Sequence, residues 1–250
     1  MMKGHLKYTR KWVSVALIIS FFIVYLLGPH HYADARRIYQ AEDADAKAAA
    51  MLLQLTPEER VGQLFIISFI GNDIKKIPQL IELIQEYHIG GIYLTRVNDN
   101  FSGPDGTVEG AYQLIYSVQS QEWEGSKIES VDPVTGDAFT PAYVPLFVAI
   151  SQEGDLYPYD QILNGMTPLP SQMAIGATWE MDYARQVGAV LGQELSSLGR
   201  NMLLGPSLDV LDVVYSVSGE ELGVRTFGGD PYWVGEMGKA YIDGLHTGSN

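Results

Sequence analysis

The amino-acid sequence predicts an α/β fold in which short parallel strands alternate with amphipathic helices. Four apolar runs indicate the strands, and each is followed by apolar side chains at helical spacing. The runs are Leu64–Ile70, Ile92–Leu94, Leu146–Ile150 and Asn201–Pro206. Alternation of this kind is typical of parallel strands joined by right-handed helical crossovers. About four such units amount to half of a closed eight-stranded barrel, and they also fit an open doubly wound sheet.

The first 54 residues lie outside the predicted α/β domain. Residues 1–11 form a basic tail without an acid, and residues 12–28 are apolar and uncharged. A run of this length is either a short transmembrane anchor, which its length favours, or a signal peptide with a small-x-small cleavage site at Ala33–Ala35. The basic residues before the apolar run keep the amino terminus in the cytoplasm. The domain that follows the run is therefore predicted to be extracytoplasmic, either held at the cell membrane or secreted. Residues 29–54 are rich in alanine and acid and are predicted to form a helical linker.

The domain predicted over residues 55–250 opens with a helix-start signal. Thr56, Pro57 and Glu59 have the spacing of a capping box with proline at the first helical position. Later helices are predicted over residues 77–87, 108–122, 180–198 and 231–246, the last with Asp230 as its N-cap. Residues 125–144 are predicted to be a long loop, because they contain turn-forming residues without periodicity.

The composition excludes several classes of function. The formal net charge of −14 argues against nucleic-acid binding, which needs a basic surface. The chain has no cysteine, so it forms neither disulfides nor zinc–thiolate sites. The 5 histidines have no ligand spacing, so no metal site is predicted. No glycine-rich dinucleotide fingerprint follows the first apolar run, and no cofactor is predicted. The sequence leaves the oligomeric state open.

Polar residues follow the third and fourth apolar runs. Ser151 and Glu153 come directly after the third run, while Asp209 and Arg225 lie in the long stretch after the fourth. Ligand sites in α/β proteins lie just beyond the carboxyl ends of the strands. Residues 201–230 are therefore predicted to be a strand that opens into a ligand-binding loop.

Four sequence blocks, in order and with consistent spacing, carry a resemblance to a known family. They are Leu55–Phe65, Ile89–Leu94, Leu146–Gly154 continued by Leu169–Thr178, and Gly192 through Asn201 and Asp209 to Pro231. The chain resembles the amino-terminal barrel domain of glycoside hydrolase family 3, especially its bacterial β-N-acetylhexosaminidase branch. The resemblance implies the first half of a TIM-type (β/α)8 barrel. It also implies retaining hydrolysis of β-linked carbohydrate, of the β-N-acetylhexosaminidase or β-glucosidase type.

The same resemblance implies where the reacting groups are. A retaining glycosidase needs a nucleophile and a general acid on opposite sides of the bond. In the family the nucleophile is an aspartate on a later strand, and in this branch the acid is a histidine beyond a Lys-His-Phe-Pro-Gly-His-Gly block. Both are expected beyond Asn250, so the chain is expected to hold no catalytic residue and to be inactive by itself. The alternative is a membrane-anchored, non-catalytic carbohydrate-binding module or degenerate barrel.

Four residues are predicted to bind substrate, each with a structural alternative. Arg225 matches the family's sugar-contacting arginine, and the alternative is a loop salt bridge. Asp209 either lines the site or fixes its loop. Glu153 either belongs to the site or accepts hydrogen bonds from backbone amides at the strand end. The family usually has an aspartate at the position of Ser151. Ser151 either contacts sugar or only packs against neighbouring side chains.

Aromatic residues are a further candidate feature. Trp179, Trp233 and the tyrosines could include a sugar-stacking platform, with core or surface packing as the alternative.

Overall fold

The computed structural model describes residues 43–101, 107–132, 135–211 and 224–249. The chain divides into two compact units, Met1–Gln54 and Leu55–Asn250. In the first unit, residues 43–54 form helix α1, and all its side chains are exposed. Within the described ranges, no helix has the length and apolar character needed to cross a membrane. The predicted anchor or signal segment, residues 12–28, lies outside those ranges.

The second unit alternates strands and helices as the sequence predicts. In chain order its elements are α2 (Pro57–Gly62), β1 (Ile66–Ile67), a 3-10 turn (Ile74–Lys76), α3 (Pro78–Gln85), β2 (Gly91–Tyr93), α4 (Thr107–Gly125), β3 (Ser130–Val131), β4 (Ala138–Phe139), β5 (Phe147–Ile150), α5 (Gln172–Gly176), α6 (Met181–Ser197), β6 (Met202–Leu203) and α7 (Pro231–Gly248).

A four-stranded parallel sheet forms the centre of this unit. Its strands lie in the order β1-β2-β5-β6, which is also their order along the chain. Gly91 pairs with Ile66 on one side and with Phe147 on the other, and Ala149 pairs with Met202. The prediction of parallel strands joined by helical crossovers is confirmed, and the fold is α/β.

The core lies between the sheet and the helices packed on it. It includes strand residues Ile92, Val148 and Ile150, and helix residues Ile84 and Met237, all of which are fully buried. Helices α6 and α7 run side by side at very close range. A Cβ added to Gly188 of α6 would lie 2.1 Å from the carbonyl oxygen of Tyr241 in α7. Glycine is therefore required there by the close approach of the two backbones.

The predicted helix starts are confirmed by their hydrogen bonds. The backbone N–H of Glu59 donates to Thr56 Oγ1 at 3.2 Å, and the backbone N–H of Thr56 donates to Glu59 Oε2 at 2.7 Å. This is the reciprocal capping box that the spacing predicts. Asp230 caps α7 by accepting a 2.8 Å bond from the backbone N–H of Trp233.

Three predictions of secondary structure need correction. The buried strand predicted over Leu64–Ile70 is a two-residue strand, and Leu64 and Ile70 are 81% and 74% exposed. Among the described strands β1 pairs only with β2, so its outer side is uncovered. The predicted loop at 125–144 contains the antiparallel pair β3 and β4. The short helix α5 was not predicted, and its N-cap is Ser171.

Candidate functional site

The residues predicted to form a site lie where β5 and β6 end. These strands are neighbours and parallel, so the segments that follow them emerge at the same edge of the sheet. Ser151 and Glu153 follow β5 directly. Gly205 follows β6, and its Cα lies against Glu153, because an added Cβ would be 3.4 Å from Glu153 Cγ. The sheet therefore brings the two predicted segments into contact.

Arg225 and Glu153 form the centre of this group. Arg225 Nε donates to Glu153 Oε2 at 2.9 Å and Nη2 donates to Oε1 at 2.7 Å. The Glu153 side chain is only 2% exposed, whereas the Arg225 side chain is 37% exposed. The hydrogen bond to Glu153 is the largest cause that raises the pKa of the Arg225 guanidinium above its ordinary value. The pair is a two-point, charge-assisted contact with its cation at the surface.

The other two predicted residues join this pair in different ways. Ser151 Oγ donates to Glu153 Oε1 at 3.1 Å, so Ser151 belongs to the same hydrogen-bonded group. Asp209 is exposed, and its Oδ2 accepts a 3.1 Å bond from Ser207 Oγ. Its carbonyl oxygen accepts a bond of 2.8 Å from Thr226 Oγ1, next to Arg225. The charge of Asp209 also contributes to the raised pKa of Arg225.

Asp160 is a part of the site that the sequence did not single out. Its carboxylate accepts from the backbone N–H groups of Glu153, Gly154 and Leu156 at 2.9, 2.7 and 3.1 Å. Asp160 therefore accepts the hydrogen bonds from backbone amides at this strand end, a role considered above for Glu153. Burial raises the pKa of Asp160, and the three backbone hydrogen bonds oppose that shift.

The backbone around Asp160 has an unusual conformation. Gly154, Asp155 and Leu156 all have positive φ, at 86°, 67° and 57°. A Cβ on Gly154 would lie 2.4 Å from the carbonyl oxygen of Pro170, so glycine is required there. The turn aims the N–H groups of Glu153, Gly154 and Leu156 at Asp160 and so fixes Glu153 where Arg225 can reach it.

The loop after β2 adds a second arginine beside this turn. The backbone N–H of Arg96 donates to Gln161 Oε1 at 2.9 Å, and the Arg96 guanidinium lies 5.1 Å from the ring centroid of Tyr157. Gln152, itself buried, accepts from the backbone N–H groups of Gln161 and Ile162. The ends of β2, β5 and β6 are thus tied into one polar surface with two arginines.

This surface differs from the larger cavities of the unit. A cavity of about 700 Å³ lies between α6, α7 and β6, and one of about 500 Å³ lies beside α2 and β1. We place the site at Arg225 because charged and polar groups from several strand ends converge there, whereas the α2 cavity is mostly apolar. In the described ranges, no group of three or more His, Cys, Asp or Glu side chains is placed to hold a metal ion.

Comparison with known proteins identifies the family. Residues 56–249 match the profile of the glycosyl hydrolase family 3 N terminal domain. The chain belongs to glycoside hydrolase family 3. Among related sequences, it is 25% identical over 206 residues to a β-N-acetylglucosaminidase/β-glucosidase of Cellulomonas fimi, covering 82% of this chain and 30% of the relative. It is 28% identical over 214 residues to β-hexosaminidase A of Pseudoalteromonas piscicida, covering 79% of this chain and 32% of the relative.

Solved structures of family 3 agree with the sequence match. A family 3 β-N-acetylglucosaminidase from Paenibacillus sp. str. FPU-7 aligns with a TM-score of 0.62 and 29% identity, covering 78% of this chain and 31% of that protein. The α/β unit described above therefore has the fold of the family 3 amino-terminal domain. The chain spans about a third of the length of these relatives.

Proposed function

We propose that residues 55–249 form the sugar-holding part of a family 3 glycosidase that hydrolyses β-linked glycosides of the N-acetylhexosamine or glucose type. The observation that carries the proposal is the Arg225–Glu153 pair at the strand ends. Guanidinium has five N–H donors, and this pair uses two of them. The exposed remainder of Arg225 is suited to donate to sugar hydroxyl or acetamido oxygens. We infer that the four parallel β/α units belong to a barrel whose carboxyl-end surface holds the sugar.

In this proposal each polar residue has a separate task. Arg225 contacts the sugar, and Glu153 positions Arg225 by holding two of its nitrogen atoms. Ser151 and Asp160 position Glu153. Ser151 donates to the Glu153 carboxylate, and Asp160 accepts from the Glu153 backbone N–H. Asp209 is exposed beside Arg225 and supplies an acceptor for a sugar hydroxyl. The surface binds and orients a glycoside.

Calorimetric titration of the full chain tests sugar binding by Arg225. The chain is purified in a detergent without a sugar headgroup and titrated with N-acetylglucosamine and with cellobiose. We expect binding of at least one sugar, and a loss of about tenfold or more in affinity in Arg225→Ala, because a charge-assisted contact is removed. The matched control is Arg185→Ala, which removes an exposed arginine paired with Asp182 on α6.

Two outcomes of that experiment decide against the proposal. If no sugar produces heat with the unmodified chain, the surface does not bind carbohydrate. If Arg185→Ala weakens binding as much as Arg225→Ala, Arg225 has no specific part in it. A hydrolase is separated from the alternative, a binding module, with a product extended beyond Asn250, where the reacting groups are expected. Release of the aryl group from an aryl β-N-acetylglucosaminide by that longer product indicates a hydrolase, and binding without release by it favours the alternative.

We also propose that residues 12–28 attach the chain to the cell membrane, with the α/β unit on the extracytoplasmic side. The support is the apolar, uncharged sequence with a basic amino-terminal flank. Extraction of membranes with alkaline carbonate tests this. Full-length chain retained in the pellet agrees with an anchor, and a soluble chain that begins after residue 35 identifies a cleaved signal instead.

A further inference from the structure

A pair of tryptophans lies at the amino-terminal ends of α6 and α7. We call Trp179 and Trp233 the tryptophan platform. Their ring centroids are 5.1 Å apart and their planes are inclined by 31°. Close packing of α6 on α7, with Gly188 against Tyr241 and Gly192 against Leu245, keeps the two helix starts side by side. The platform is therefore built on rigid elements.

Trp233 packs against the hydrophobic core of the unit, but core packing does not account for Trp179. Trp179 is 64% exposed, although a tryptophan offers more apolar surface to bury than any other side chain. Its φ of 57° is in the left-handed region, which bulky residues rarely adopt. Tyr183 and Tyr232, in the first turns of the same two helices, are 53% and 73% exposed. The fold thus holds a large aromatic surface in contact with water.

The surroundings of the platform restrict what it can bind. Glu180, Asp182 and Asp230 lie within three residues of one or other tryptophan, and the whole chain has a formal net charge of −14. This charge disfavours anionic ligands such as phosphates or nucleic acid. A neutral ligand with an apolar face suits an exposed indole ring. The pyranose rings of β-linked sugars present such a face, because their C–H groups lie on the two sides of the ring.

The platform is also linked to the proposed sugar site. The backbone N–H of Trp179 donates to the carbonyl oxygen of Gly176 in α5. A Cβ on Gly176 would be 1.9 Å from the carbonyl oxygen of Phe227, so α5 packs directly on the segment that carries Arg225. Asp230 caps α7 five residues after Arg225. The segment that carries Arg225 therefore packs on α5 and leads directly into α7, the two helices next to which the platform residues lie.

We propose that the tryptophan platform is a stacking subsite for a neutral oligosaccharide, which holds sugar units beyond the one contacted by Arg225. This inference rests on the proposed function for its ligand class, but the platform itself does not require Arg225. It predicts that longer sugars bind more tightly than single units. Trp179 contributes most of the gain, because its ring is the more exposed of the two.

Titration of the full chain with N-acetylglucosamine and with penta-N-acetylchitopentaose tests the subsite. The signal is quenching of tryptophan fluorescence, confirmed by calorimetry. We expect the pentasaccharide to bind at least about tenfold more tightly than the monosaccharide, and Trp179→Ala to remove most of that gain. Trp179→Phe is expected to retain part of it. The matched control is Trp123→Ala, since Trp123 is also exposed, at 49%, but packs on Tyr143 away from the platform.

The outcomes separate this inference from the proposed function. Equal affinity for both sugars, or equal loss in Trp179→Ala and Trp123→Ala, overturns the subsite while leaving the Arg225 site intact. Pentasaccharide binding that depends on Trp179 but not on Arg225 supports the subsite and contradicts the proposed function. Sedimentation of the free chain gives a further check. Concentration-dependent dimers that Trp179→Ala abolishes would mean that a second copy covers the platform, and the subsite would be rejected.

Discussion

Two buried glutamates at different ends of the unit differ sharply in their surroundings. Glu153, after β5, accepts two hydrogen bonds from Arg225 and one from Ser151. Glu122, near the end of α4, is fully buried, and neither of its oxygens has a hydrogen-bond partner among the described residues. The Nδ1 atom of His88 lies 3.7 Å from its Oε1. The carboxyl ends of the strands are therefore built to hold charge, whereas Glu122 lies in a setting that penalises it.

The same substitution at both glutamates tests this contrast and has the largest expected effect. Glu153→Gln leaves Arg225 without its ionic partner, and we expect a loss of about 2–3 kcal/mol in the free energy of unfolding. Breaking a buried pair costs more, but Arg225 is partly exposed and regains water. Glu122→Gln replaces a buried carboxyl group that lacks hydrogen bonds, so stability should stay equal or rise by about 1 kcal/mol. Urea unfolding followed by circular dichroism measures both.

The comparison fails if the two variants lose stability equally. That result would mean that the contact between Glu122 and His88 stabilises the folded protein. A double variant, His88→Gln with Glu122→Gln, then measures the coupling between these two side chains. The corresponding double variant at Glu153 and Arg225 serves as the control for ionic coupling at the site.

Local sequence signals predicted the elements well. The capping box at Thr56 and Glu59 and the N-cap at Asp230 depend on residues only three apart, and both are confirmed. The parallel pairing of the strands follows from strand–helix alternation, and it is confirmed too. The exposure of β1 was missed because hydrophobicity shows which residues are apolar, without showing what covers them.

The site was harder to predict because its contacts are not local. Arg225 and Glu153 are 72 positions apart in sequence, so no spacing rule indicates that they pair. Asp160 lies in a loop without periodicity, and its role depends on three backbone N–H groups brought together by positive φ angles. Its position ten residues after Ile150, the last residue of β5, was the available signal. The roles predicted for Ser151, Glu153, Asp209 and Arg225 in sugar binding stay predictions.

Asp160 is a second buried carboxylate at the strand ends that can be compared with Glu122. Its substitution is expected to change the free energy of unfolding less than Glu153→Gln. Asp160→Asn replaces a carboxylate oxygen with an NH2 group that faces backbone donors, and we expect a loss of about 1–2 kcal/mol. The loss should also depend on pH. Because burial raises the folded-state pKa of Asp160, its ionisation opposes folding. Its contribution to stability therefore falls as pH rises from the unfolded pKa, about 3.9, to the raised folded pKa.

Urea unfolding of the unmodified chain and of Asp160→Asn across that pH range provides the measurement. The difference in stability between the two should be largest at the acid end and shrink as pH rises through the window. A difference that grows with pH instead would show that hydrogen bonds from Glu153, Gly154 and Leu156 outweigh burial. Asp155→Asn is a suitable control, because Asp155 is exposed in the same turn.

Arg200 is a buried cation that can be compared with Arg225 in the same way. It lies two residues before β6, is 4% exposed, and has no hydrogen-bond partner for any guanidinium nitrogen among the described residues. Its guanidinium lies 5.2 Å from the ring centroid of Phe101. Burial lowers the pKa of Arg200 to about 9, so it remains charged at neutral pH and its charge opposes folding.

We expect Arg200→Met to raise the free energy of unfolding by about 1 kcal/mol, since methionine fills similar space without a charge. Urea unfolding at pH 7 measures the change, and Arg185→Met at the surface should change stability little. The effect should diminish above pH 9, because the folded protein then binds fewer protons than the unfolded chain. Destabilisation by Arg200→Met would instead mean that the contact of the guanidinium with the Phe101 ring outweighs the cost of burying its charge, and the contrast with Arg225 would fail.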